Sequence, residues 1–76
     1  MSVIKLLAEL EANFELNGFY AIQVWPQLNE LKLQGKFTDD NIKVAAAMNI
    51  DLQYEDGYIR GSDKEGIIKI TLATSN

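Results

Sequence analysis

The hydrophobic pattern of this chain changes period along its length, and that change confines it to a mixed fold. Near the start, Val3, Leu6, Leu7, Leu10 and Phe14 recur at i, i+3, i+4, i+7 and i+11, with Lys5, Glu9, Ala12 and Glu15 opposite. From Ile50 onward the period is two: Ile50, Leu52 and Tyr54 alternate with Asp51, Gln53 and Glu55. One end of the chain therefore reads as amphipathic helix and the other as strand, the signature of an α+β domain. With 76 residues there is material for one core, so residues 1–76 are expected to form a single small domain.

The first helix is expected over about residues 2–16, closed by Asn17-Gly18, a pair that tolerates the left-handed conformation. Phe19 to Trp25 is aromatic and β-branched and precedes Pro26, whose ring disfavours helix at Trp25, so a short strand is expected there. The competing reading is one long helix through Tyr20, Val24, Leu28 and Leu31, kinked at Pro26. Strand then helix is preferred: Pro26 suits a first helical position, Leu28 and Leu31 supply a short buried face, and Gly35 fits the closing left-handed slot. Thr38 is placed to cap a third helix running to about Asn49, with Asp39 and Asp40 at its positive end and Phe37 set to staple onto Ile42.

Residues 50–55 read as a strand or as an extension of the third helix. Asp56-Gly57 is a two-residue hairpin turn, Tyr58 to Ser62 a return strand, Asp63 to Gly66 a second turn, and Ile67 to Ala73 the strongest strand signal present. The expectation is three short helices packed on a small antiparallel sheet that ends in a C-terminal meander, with Thr74-Ser75-Asn76 frayed. In such a meander Ile67 to Ala73 forms an edge guarded only by Lys69, which predicts a homodimer through the C-terminal strand.

Composition narrows the function. The chain has neither Cys nor His, which removes thiolate and imidazole chemistry and the usual zinc ligands. The carboxylate groups Asp39-Asp40, Glu55-Asp56 and Asp63-x-Glu65 fall at a helix start and at turns, and none has the spacing of a calcium loop. Gly57, Gly61 and Gly66 match neither a phosphate loop nor a dinucleotide fingerprint. No catalytic residue, metal ligand or cofactor is therefore expected. The longest apolar run, Val44 to Met48, cannot span a bilayer, so a cytoplasmic protein without membrane contact is expected.

The order of elements, the hairpin Tyr54-Glu55-Asp56-Gly57-Tyr58-Ile59-Arg60-Gly61 and the strand Ile68-Lys69-Ile70-Thr71-Leu72 resemble a small winged helix-turn-helix domain over nearly the whole chain. The resemblance implies that the helix from Thr38 to about Asn49 reads a major groove and that the wing near Ser62 to Glu65 touches phosphates, with Lys43, Arg60 and Lys64 on DNA. Two features oppose that function. The would-be recognition helix opens with Asp39 and Asp40, and the chain carries a formal charge of −4. The favoured expectation is a non-enzymatic regulatory or adaptor protein that binds another protein, with Trp25, Tyr54 and Tyr58 as its contact residues.

Overall fold

The computed structural model describes residues 2–74. Helix α1 spans Val3–Asn13, strands β1 Phe19–Trp25 and β2 Glu30–Lys36, helix α2 Asp39–Ala47, and strands β3 Gln53–Glu55, β4 Tyr58–Ser62 and β5 Ile68–Ala73. The five strands make one mixed sheet in the order β1-β2-β5-β4-β3. The β1–β2 hairpin is antiparallel, β2 runs parallel to β5, and β5-β4-β3 is an antiparallel meander. The sheet is therefore a hairpin and a meander fused through one parallel pair, with α2 and the β3–β4 hairpin in the crossover that parallel strands require.

The core lies between the helices and one face of the sheet. Alternation on the two central strands puts Leu31 and Leu33 of β2 and Ile68, Ile70 and Leu72 of β5 on that face, where they meet Leu10 of α1 and Val44 and Ala45 of α2. Ser2 caps α1, its hydroxyl accepting from Lys5 N at 3.3 Å, and Thr38 caps α2 in the same way with Asn41 N at 3.3 Å. The cap expected at Thr38 is thus present, with Phe37 half exposed beside it. No helix among the described residues is long and apolar enough to cross a membrane.

Several expectations are corrected. Residues 26–35 do not form a helix. Pro26–Leu28 is a single 3-10 turn, Asn29 reverses the chain in the left-handed region at φ 52°, and Glu30–Lys36 is strand. The reason lies in what each geometry buries: a helix would cover Leu28 and Leu31, whereas the strand hides Leu31, Leu33 and Gly35 on one side and leaves Leu28 exposed. Without that helix the described residues hold two α-helices instead of three, and the helix-turn-helix pair on which the winged-helix resemblance depends is missing its first member. The meander exists, but β2 covers its outer strand: β5 is paired on both sides and is not an edge, which closes the route to a dimer through the C-terminal strand.

Residues 50–52 form neither strand nor helix, so only Gln53–Glu55 of that stretch is β3. Helix α1 ends at Asn13 with Phe14 extended, so Asn17-Gly18 does not close it. The fraying expected at the C-terminus falls on Ser75 and Asn76, outside the described residues; Thr74 donates its hydroxyl to Gly57 O at 2.7 Å.

Candidate functional site

Both helices pack on the same side of the sheet, so its other face is left uncovered by the described residues. Residues paired across a ladder share a face, and the register assembles that surface row by row. One row reads Gln23, Lys32, Lys69, Ser62; the next reads Ala21, Gln34, Thr71, Arg60, Gln53. Trp25 pairs with Glu30 beyond the first row, and Ala73, Tyr58 and Glu55 follow the second. The surface is polar, and it holds a concavity of about 700 Å³ lined by Lys32, Gln34, Gln53, Arg60, Lys69 and Thr71 among others.

Charge and aromaticity are arranged on this face. Lys32, Lys69 and Arg60 occupy its middle although the chain as a whole is acidic. Lys69 Nζ donates to Glu30 Oε2 at 2.8 Å, and this hydrogen bond, with the positive charges of Lys69 and Lys32, holds the Glu30 carboxyl below the usual carboxylate range despite an opposing desolvation effect. Arg60 sits 3.9 Å from Glu55, a looser and more exposed pair. Each aromatic residue is matched to a cation: Lys32 Nζ lies 5.9 Å from the Trp25 ring centroid and the Arg60 guanidinium 5.3 Å from that of Tyr58.

Of the contact residues expected from the sequence, two come together and one does not. Trp25 and Tyr58 stand on the open face at opposite ends of the polar rows, 42% and 43% exposed, which removes them from the core-filling role such residues usually have. Tyr54 is also exposed, but it pairs with Ile59 on the helix side of the sheet. The set that DNA binding would use is dispersed. Arg60 is on the open face, Lys43 lies on α2 across the sheet, and Lys64 is in the β4–β5 turn.

Lys32, Gln34 and Thr71 were not singled out by the sequence as site residues. A usable signal existed in the strict alternation Glu30-Leu31-Lys32-Leu33-Gln34-Gly35-Lys36, which marks a strand with one polar face.

A second hollow of about 570 Å³ opens where the α1–β1 loop meets the start of α2, beside Glu15, Tyr20, Asp40 and Asn41. Its most buried polar group, the Asn41 amide, is committed to structure: Nδ2 donates to Gly18 O at 3.0 Å and to Lys36 O at 2.8 Å.

Among the described residues no group of three or more acidic side chains is gathered as a metal site would need. No family model matches the chain, and no curated protein or solved structure matches it either.

Proposed function

We propose that this chain is a non-enzymatic regulatory or adaptor protein that binds a partner protein across the open face of its sheet, in the cytoplasm. The observation that carries the reading is the placement of Trp25 and Tyr58 on one uncovered face with Lys32, Lys69 and Arg60 between them. Half-exposed Trp and Tyr are the side chains that anchor interfaces, because each buries a large area at small entropic cost. Lys69 and Arg60 are already paired with Glu30 and Glu55, so the two rings supply the anchors, and Gln34, Gln53 and Thr71 offer hydrogen bonds between them. A phosphate polyanion is a poorer match. It would approach a molecule of net charge −4 and could not reach Lys43 from the face that holds Arg60.

The test is affinity capture with the tagged protein, with and without nuclease, comparing wild type, a Trp25→Ala, Tyr58→Ala double variant and Tyr54→Ala. The expected result is a nuclease-resistant protein partner that the double variant loses and Tyr54→Ala keeps, all three proteins having wild-type circular dichroism. A partner retained by the folded double variant would remove the open face from the reading, and capture that nuclease abolishes would replace protein with nucleic acid.

A further inference from the structure

Asn17-Gly18, which does not close α1, lies instead at the centre of a turn before β1. Leu16 and Phe19 flank it, both buried, and Phe19 N donates to Leu16 O across it at 3.1 Å. Asn17 and Gly18 themselves are exposed. Among the described residues, neither the Asn17 carbonyl nor the Gly18 N–H takes part in a backbone hydrogen bond. The peptide between the two residues is therefore held only by its neighbours. The Asn17 side chain donates from Nδ2 to Glu15 Oε2 at 3.1 Å, an exposed contact that water readily replaces.

We infer that Asn17 is a site of spontaneous covalent modification, converted through a cyclic imide to aspartate and isoaspartate in the folded protein. The Gly18 nitrogen attacks Asn17 Cγ and gives up its proton to water. The Cγ–Nδ2 bond breaks, ammonia leaves, and a five-membered succinimide ring remains. Water then opens the ring: addition at Cγ gives aspartate, and addition at the backbone carbonyl carbon leaves the chain running through Cγ as isoaspartate. One water is consumed and one ammonia released, with no change of oxidation state.

The structure separates this asparagine from the others. Asn-Gly occurs once in the sequence, and glycine has no Cβ to obstruct ring closure. Asn13, Asn41 and Asn49 precede Phe14, Ile42 and Ile50, whose N–H groups are each committed to a backbone carbonyl at 2.8, 2.9 and 3.0 Å. Asn29 precedes Glu30, the bulkier first residue of β2. Asp56-Gly57 has the right spacing, but an ionised carboxylate is a poor electrophile at neutral pH.

The two products differ in consequence. Aspartate adds a negative charge beside Glu15 and Asp40 in the second hollow. Isoaspartate also adds a carbon to the main chain immediately before Gly18, whose carbonyl accepts from Asn41 Nδ2 at 3.0 Å. Asn41 is buried and cannot follow that carbonyl without leaving Lys36 O, so isoaspartate loosens the tie between α2 and β1. This chemistry does not depend on what the open face binds.

The test incubates folded wild-type protein at neutral pH and physiological temperature beside a urea-unfolded sample, followed by peptide mass mapping and isoaspartyl methyltransferase labelling. In the folded sample Asn17 should convert ahead of Asn13, Asn29, Asn41 and Asn49, and Asn17→Gln, which would need a less favourable six-membered ring, should abolish the label. The isoaspartate fraction, separated from unconverted protein by anion exchange, should unfold at a lower urea concentration. Asn17→Asp, which carries the charge without the added carbon, should stay near wild type. Folded protein in which Asn17 is intact after the unfolded chain has converted overturns the inference. An isoaspartate fraction with an unchanged urea midpoint overturns its link to Asn41.

Discussion

Asn41 shows how a single polar side chain organises this fold. It is 1% exposed, and its amide bridges the carbonyl of Gly18 at the entry to β1 and that of Lys36 at the end of β2, tying α2 to the first hairpin. The neighbouring glycines exist to admit it. A Cβ on Gly18 would collide with Asn41 Oδ1, and one on Gly35 would lie 2.8 Å from Asn41 Nδ2 and 2.9 Å from Gly18 O. Replacing Asn41 by Ala strands two carbonyls and should cost about 2 kcal/mol in a urea titration. Asn41→Asp should cost more at neutral pH, because a carboxylate has no proton to give either carbonyl. Gly35→Ala should cost about 1–3 kcal/mol, since part of what it meets is backbone that cannot rotate away. By contrast, a Cβ on Gly57 meets nothing within 4 Å, so Gly57→Ala bears only the strain of φ 84°, about 1 kcal/mol.

At the scale of elements, helix starts and strand pairs respond to different perturbations. The cap on α2 rests on one hydrogen bond from Asn41 N to Thr38 Oγ1, so Thr38→Ala should lower stability by about 1 kcal/mol by chemical denaturation, with little dependence on pH. The β2–β5 pair carries a pH-dependent contact. Because Lys69 holds the folded-state pKa of Glu30 below its unfolded value, the stabilisation is fully present above the unfolded-state pKa and is lost as pH falls through the folded one. Thermal melts of wild type and Glu30→Gln between neutral and acidic pH should therefore show the variant less stable at neutral pH and the two converging under acid. A gap that widened on acidification would show that the carboxylate is not stabilised in the folded state.

The whole molecule depends on the two central strands, each paired on both sides. Leu33 is fully buried between them and the helices, and Leu33→Ala should cost about 2–5 kcal/mol, a large share of the ~5–15 kcal/mol that holds a typical domain together; the denaturation midpoint measures it. In dilute wild-type protein, amide exchange should be slowest in β2 and β5 and fastest in the three-residue edge β3. What the sequence determined by itself is local. The start of α1, the β character of Phe19–Trp25, the Thr38 cap and the Asp56-Gly57 turn, both of whose residues have positive φ, are each decided by neighbours a few positions away. The open face was half legible: alternation in residues 30–36 marks one polar side, but not the strands on which that side continues. Only the tertiary structure decided that Glu30–Lys36 is strand, that β5 lies at the centre, and that Trp25 and Tyr58 share a surface while Tyr54 does not. The reason is that the parallel pairing of Leu31 with Ile68 joins residues far apart in the chain. Its gain comes from the apolar layer it completes, and no local spacing encodes which edges will meet to complete it.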